Sequence, residues 1–252
     1  TLRESIAPVC QTYQAYSYDS GYVASASTVV SYEAGDAPWI QLDLSNSDLD
    51  YNAKIVLSSE DGSTLQQLDQ EGLENSNGWS AILPVSSVTV TLVTNPIPWE
   101  DNTSSLLVSG FFAGVCEDDG DETAYSMCGG VENRTSSTDV RIGRFGGCTA
   151  WLVSEDVVAY AGHCGKPYES ARIHFTFDAA EDPVTVSLAD QYAVVVESYR
   201  YDNSGTGSDW AAIRVRPNSE TGKLPGVAQE EKCLDPIFSS IYGQACPSAS
   251  KI

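Results

Sequence analysis

The segment GCTAWLVSEDVVAYAGHC, residues 147–164, decides the fold expected for the second half of the chain. It holds two short apolar runs, 148–154 and 157–162, which are separated by Glu155 and Asp156. Runs of this length that are bounded by polar turn residues predict two antiparallel strands joined by a tight connection. The second strand leads directly into His163, one of only two histidines in the chain. A histidine in this place is held by the strand that precedes it.

Similar short runs surround this pair of strands. They predict further strands with almost no helical periodicity. Closed on themselves, such strands form a small barrel and remove their exposed edges. The predicted strands are Arg141–Phe145, Arg172–Phe177, Val184–Leu188, Tyr192–Tyr199 and Trp210–Val215.

The first half of the chain alternates apolar and polar residues between Gly-, Asn-, Asp- and Ser-rich turns. Period two bounded by turn formers predicts antiparallel strands with one wet face, and several such strands make a β-sandwich. The predicted strands are Trp39–Leu44, Ala53–Leu57, Ser87–Val93 and Leu106–Phe112. We therefore expect an all-β protein, with an N-terminal β-sandwich followed by a β-barrel.

An acidic stretch, Glu117–Glu122, separates the two halves. It predicts a solvated linker at 117–127 between a sandwich domain at 1–116 and a second domain at 128–252. Carboxylates around a glycine are also compatible with a cation site, although the EF-hand spacing of ligands is not met.

The charge balance restricts the partners. The chain has 13 Lys and Arg against 35 Asp and Glu, which gives a formal net charge of −22. Such an excess repels nucleic acid phosphates and anionic membrane surfaces. No run of about 18 apolar residues is present, so no membrane span is expected.

Seven cysteines are spread along the chain without a Cys-x-x-Cys pair of the kind that zinc and redox sites use. Disulfides in an oxidising compartment fit best, and they predict a secreted, extracellular protein. Asn102 and Asn133 lie in glycosylation sequons. Because seven is odd, one cysteine is free, bonded to another chain, or without a mate in this sequence.

The two histidines differ in their surroundings. His174 lies on the predicted strand Arg172–Phe177, where it alternates with apolar residues and shares the polar side with Arg172 and Thr176. This pattern predicts a surface side chain. His163 instead stands between Gly162 and Cys164, 15 positions after Cys148.

The segment around His163 resembles the region of the catalytic histidine in chymotrypsin/trypsin-like serine proteases. There, Gly-Cys opens one strand and Ala-Ala/Gly-His-Cys ends the next, as Gly147-Cys148 and Ala161-Gly162-His163-Cys164 do here. The resemblance implies a disulfide between Cys148 and Cys164 that clamps the histidine loop. It also implies that His163 acts as the general base.

A second stretch, Ser208–Val215, is similar to the family's strand that presents the triad aspartate. Asp209 follows His163 by 46 positions, close to the family's interval of about 45. The resemblance implies that Asp209 accepts a hydrogen bond from the His163 ring, and that no cofactor or metal is required. It covers about residues 126–235, where Pro217–Gly226 resembles the interbarrel connection of glutamyl-endopeptidase-like members.

The sequence departs from the family at the nucleophile. In the family order, the serine would follow Asp209 by roughly 93 residues, beyond Ile252. Ser204 precedes Asp209 in a Gly/Ser loop, so it is not expected to replace that serine. The resemblance therefore covers only the first of the family's two barrels. Tyr160 stands where the family has a small residue, and it is expected to crowd the core beneath His163.

The remaining cysteines take their predicted partners from the resemblance. It implies a bridge between Cys128 and Cys233, while Cys10 closes the sandwich with Cys116. Cys246 is left over, at a position from which the family often bonds to the second barrel. We expect its mate in a second chain or in polypeptide beyond this sequence.

The leading expectation is a secreted trypsin-like serine endopeptidase, or its first chain, which hydrolyses protein or peptide substrates. The first alternative is a pseudoprotease that acts as an extracellular binding or assembly module. The second alternative places an adhesion or carbohydrate-binding function in the sandwich, which exposed aromatic side chains such as Tyr51 or Trp79 would favour.

Overall fold

The protein is built almost entirely from β-strands, as the sequence predicts. The computed structural model describes residues 12–22, 28–94, 104–114, 139–175, 186–205 and 207–234 of the 252-residue chain. Two α-helices lie within these ranges, α1 (Gln70–Asn75) and α2 (Pro225–Leu234). The strands are β1 (Thr12–Tyr22), β2 (Thr28–Glu33), β3 (Ile40–Asp43), β4 (Lys54–Ser58), β5 (Thr64–Leu68), β6 (Ser87–Val93), β7 (Ser105–Ala113), β8 (Ile142–Phe145), β9 (Cys148–Leu152), β10 (Val157–Tyr160), β11 (Arg172–Phe175), β12 (Gln191–Gly205) and β13 (Ser208–Val215).

Two sheets of the first half pack over one hydrophobic core. One sheet has the order β1-β7-β3 and the other has the order β2-β6-β4-β5. Alternate residues of β4 and β6, such as Ile55, Val88 and Val90, are fully buried between them. The strict alternation read from the sequence therefore corresponds to one buried and one solvated face on these strands.

Strands β8 to β13 close into an antiparallel barrel in the order β10-β13-β12-β11-β8-β9. Closure gives each strand a partner on both sides and leaves no open edge in this sheet. The predicted closed barrel is thus confirmed. Its core consists of Ala150, Val158, Tyr160, Ile173, Phe175, Tyr192, Val194, Ala211, Ile213 and Val215.

One predicted strand, Val184–Leu188, is not a strand in the described residues. Leu188 begins a 3-10 turn, Leu188–Asp190, and residues 184 and 185 lie outside the described residues. The Ser187 side chain accepts a hydrogen bond from the backbone N–H of Ala189, and this local cap favours a turn over a strand.

A buried arginine joins the barrel to the sandwich. Arg172 of β11 is 6% exposed, and its guanidinium donates to the carbonyl oxygens of Ser76, Trp79 and Ser80 in the first half of the chain. The same group donates to the carbonyl oxygens of Ser170 and Ala171 beside β11. One side chain therefore satisfies carbonyl groups of both halves. Burial lowers the pKa of Arg172, but a guanidinium of this kind stays charged at neutral pH.

The surface position predicted for His174 is wrong. Its side chain is buried, at 6% exposure, and Arg172 on the same side of β11 bonds to the sandwich half. Gln191, which lies opposite His174 on β12, exchanges hydrogen bonds with the backbone of Ile82 in the sandwich half. Desolvation, together with the charges of Arg172 and Arg144, lowers the pKa of His174 to about 3. The ring is therefore neutral at neutral pH.

Several predictions concern residues outside those that the structure describes. These are the acidic linker at 117–127, the sequons at Asn102 and Asn133, and Cys10, Cys116, Cys128 and Cys246. Cys233 is a residue of helix α2. The bridges implied for Cys128 with Cys233 and for Cys10 with Cys116 therefore stay predictions. In the described part of the chain, no helix has the length and apolar character to cross a membrane.

Candidate active site

His163 is held by a short turn at the end of a barrel strand. Strand β10 ends at Tyr160, and the chain then enters a 3-10 turn, Gly162–Cys164. Cys164 forms a disulfide with Cys148 of the neighbouring strand β9, with 6.4 Å between the two Cα atoms. This bridge confirms the predicted pairing. Because the bond lies one residue after His163, it restricts the conformations open to the histidine turn.

Asp209 reaches the same place from another strand of the barrel. It is the second residue of β13, and Ala211, two residues later, pairs with Tyr160 of β10. The antiparallel register therefore brings the start of β13 beside the turn that follows β10. Both residues that the sequence predicts for the site thus meet at one end of the barrel.

The Asp209 carboxylate contacts His163 through both of its oxygens. Oδ2 lies 2.7 Å from Nδ1 of the His163 ring, and Oδ1 accepts the backbone N–H of His163 at 2.8 Å. Two acceptors on one residue fix the ring and its main chain together. The arrangement orients the imidazole with Nδ1 toward the carboxylate and leaves Nε2 for a reacting group.

The hydrogen bonds of this pair favour an ionised carboxylate. The side-chain bond to His163, followed by the bond to its backbone N–H, holds the pKa of Asp209 below the ordinary aspartate value. The Asp209 carboxylate therefore keeps its charge to a lower pH than a free aspartate does. Both side chains remain open to solvent, with 61% of His163 and 35% of Asp209 exposed.

Gly162 permits the close approach on which this geometry depends. A β-carbon at this residue would lie 2.4 Å from the carbonyl oxygen of Asp202 and 2.9 Å from that of Trp210. Both are backbone atoms of the β12–β13 hairpin, so neither can rotate away. The absence of a side chain at residue 162 thus lets the strand that carries Asp209 pack against the turn that carries His163.

Gly162→Ala is expected to push the β12–β13 hairpin away from the turn and to weaken both bonds between His163 and Asp209. The strain should cost about 1–3 kcal/mol in the free energy of unfolding. NMR of the His163 ring proton on Nδ1 and of its backbone amide measures the local effect. Gly147→Ala is the matched control, since a β-carbon there has no atom within 4 Å. Equal His163 resonances in the two variants would contradict this role of Gly162.

The structure also shows the contacts of Tyr160 and Ser204, which the sequence does not determine. Tyr160 is fully buried in the barrel core, in ring contact with Phe145 and Tyr199, and it donates to the carbonyl oxygen of Gly165. The barrel accommodates this ring, and His163 still contacts Asp209. Ser204 donates its Oγ proton to the Asp202 carboxylate, so its partner is this carboxylate and not the His163 ring.

The aromatic residues considered for a sandwich binding face do not share one exposed surface. Trp79 is buried at 9% exposure and stacks on Phe112, whereas Tyr51 is 96% exposed. Trp79 therefore contributes to packing rather than to a ligand platform.

Sequence reasoning missed two residues that organise the site and its support. Gly162 appeared only as part of a motif, and its close contacts with the hairpin depend on a strand 40 or more residues away. Arg172 appeared only as a residue on the same polar side of the strand as His174. The alternation of the strand predicts that position, but no nearby residue indicates that the sandwich half contacts it.

No protein-family model matches the chain, and no curated protein matches its sequence. The closed six-stranded antiparallel barrel is compatible with the barrel of trypsin-like proteases. Functional assignment therefore depends on the geometry of the site.

Proposed function

We propose that this chain supplies the general base and its orienting carboxylate to a secreted trypsin-like serine endopeptidase. The contact between His163 and Asp209 carries the proposal, because its two hydrogen bonds hold the imidazole in the orientation that a base needs. The nucleophilic serine comes from polypeptide beyond residue 252 or from a second chain.

The chemistry follows from the two ring nitrogens. With Nδ1–H donating to Asp209, Nε2 carries a lone pair and accepts the serine proton as the hydroxyl attacks a peptide carbonyl. The imidazolium that forms is stabilised by the adjacent carboxylate. It then gives its proton to the leaving amine, and a water molecule hydrolyses the acyl-enzyme by the same two proton transfers.

The exposure of His163 and Asp209 supports the proposal that a second barrel covers them. An orienting carboxylate works best where water is excluded, because a low dielectric strengthens its interaction with the imidazolium. Here, Asp209 is 35% exposed and His163 is 61% exposed. A second barrel that brings the serine would cover both groups.

A pseudoprotease is the second candidate, since the sequence contains no Gly-Asp-Ser-Gly nucleophile motif. In that case the barrel serves as an extracellular binding or assembly module, and the contact between His163 and Asp209 is structural. The two candidates differ in whether an activated serine meets Nε2 in the natural protein.

A fluorophosphonate probe on the protein purified from its natural source distinguishes these candidates. The probe reacts with a serine that a working histidine activates. We expect labelling of a serine covalently or tightly associated with this chain, and a loss of at least about 10³-fold in labelling rate in His163→Ala. Tyr168→Ala is the control, because Tyr168 is 82% exposed in the loop after the histidine turn. Absence of labelling in the unmodified protein would favour the pseudoprotease.

A further inference from the structure

We propose that the disulfide beside His163 is a redox-gated metal site. When the bridge is reduced, the thiolates of Cys148 and Cys164 and the ring of His163 bind one zinc ion. The bound metal occupies the nitrogen that would otherwise accept a proton. The site itself stands on local geometry, whereas its inhibitory effect rests on the proposed function.

The three residues are already gathered. One ring nitrogen of His163 and the two sulfur atoms lie within 4.8 Å of one another. Ligand atoms of a tetrahedral zinc site with bonds of about 2.3 Å to sulfur and 2.0 Å to nitrogen stand roughly 3.5–3.8 Å apart. The nitrogen and the sulfur atoms therefore need to approach one another by up to about 1 Å. Rotation of the two cysteine side chains after reduction supplies this movement, so His163 keeps its bond to Asp209.

The backbone positions suit two thiolate ligands. Cys148 begins strand β9 and Cys164 ends the 3-10 turn, with 6.4 Å between their Cα atoms. After reduction, the sulfur atoms can separate by rotation about the side-chain bonds while the strands stay in place. Zinc sites with two cysteines, one histidine and one open position are an established type in enzymes.

Asp209 completes the arrangement as the partner of the metal-bound histidine. Histidines that bind zinc through one nitrogen usually donate the other N–H to a carboxylate, which fixes the ring and raises its basicity. The 2.7 Å contact between Nδ1 and Asp209 supplies this bond. Nε2 is then the metal ligand, and a water molecule takes the fourth position.

The bridge is not fully enclosed, and the charge of the chain favours cations. Cys148 and Cys164 are both half-buried, and Cys164 packs against the barrel core. The net charge of −22 raises the local concentration of divalent cations near the surface.

The chemistry balances with a dithiol as reductant. The dithiol gives two electrons and two protons, the bond between Cys148 and Cys164 breaks to two thiols, and the reductant becomes a disulfide. Zinc binding then releases one proton from each thiol. Because the lone pair of Nε2 is bound to the metal, His163 cannot take up a serine proton until the metal leaves.

Cobalt(II) spectroscopy on the full chain tests the site without any serine. The chain is reduced with a phosphine, and Co²⁺ is added with zinc competition. We expect thiolate-to-cobalt charge-transfer bands in the near ultraviolet, tetrahedral bands in the visible, and one bound ion that Zn²⁺ displaces. The oxidised chain should lack these bands.

Two variants separate this site from the other five thiols. The double variant Cys148→Ser/Cys164→Ser keeps those thiols, and it should lose the bands. His163→Gln removes the nitrogen ligand at an exposed position, and it should weaken Co²⁺ binding by at least the roughly 10–100-fold that loss of a ligand's supporting partner costs. Unchanged bands in the double variant, or unchanged affinity in His163→Gln, would overturn the site. If the site is found and fluorophosphonate labelling fails, only the inhibitory role falls.

Discussion

Arg172→Ala is expected to lower the free energy of unfolding by about 3–5 kcal/mol. The guanidinium donates to three sandwich carbonyls, those of Ser76, Trp79 and Ser80, and to carbonyls beside β11. Hydrogen bonds to a charged donor are the stronger kind, and the truncated side chain also leaves a cavity between the two halves. Denaturant unfolding with the disulfides intact measures the change.

Arg172→Lys gives an intermediate test of the same contact. Lysine keeps the charge, but its single ammonium has three donors and lacks the planar fork that spans both halves of the chain. We expect the free energy of unfolding of Arg172→Lys to lie between that of the wild type and that of Arg172→Ala. Arg200→Ala is the matched control, because Arg200 donates to the carbonyl oxygens of Glu197 and Tyr199 on the exposed surface. An Arg172→Ala midpoint equal to that of Arg200→Ala would show that the buried contact contributes nothing.

In the serine endopeptidase proposed above, Asp209→Asn is expected to reduce kcat on the order of 10⁴-fold. The backbone N–H of His163 bonds to Oδ1, so in the variant the amide oxygen keeps that place and the amide NH₂ faces Nδ1. Nδ1 must then accept a hydrogen bond, which moves the ring proton to Nε2. Nε2 can no longer take the serine proton, although the fold is unchanged.

Nitrogen NMR of His163 in the chain alone reports the tautomer independently of activity. We expect Nδ1–H in the wild type and Nε2–H in Asp209→Asn. Asp202→Asn is the control, because Asp202 lies on the adjacent strand and its carboxylate bonds to Ser204 rather than to His163. The proposal fails if Asp209→Asn keeps full activity, or if its His163 tautomer matches that of Asp202→Asn.

Most of the barrel strands could be predicted from the local pattern of apolar, polar and turn residues. The strands predicted at Arg141–Phe145, around Trp151 and at Trp210–Val215 appear within a few residues of their expected bounds. Alternation and turn residues are short-range properties, so the sequence carries them directly. The exception at Leu188 has the same origin, since a serine cap competes locally with the strand.

The residues of the site could be predicted from the sequence, but the backbone contact that holds them in place could not. His163, Asp209 and the bridge between Cys148 and Cys164 could be named from motif and spacing, and the structure brings them together. The backbone bond from His163 to Oδ1 could not be read, because it depends on the register of β13 against β10.

By itself, the sequence determined the all-β class, the closed barrel and the identity of the histidine and carboxylate that meet at the end of the barrel. Only the tertiary structure decided that His174 and Arg172 are buried and that Gly162 must lack a side chain. The physical reason is that alternation along a strand assigns each side chain to one side of the sheet. What covers that side is set by packing between segments that lie far apart in the chain.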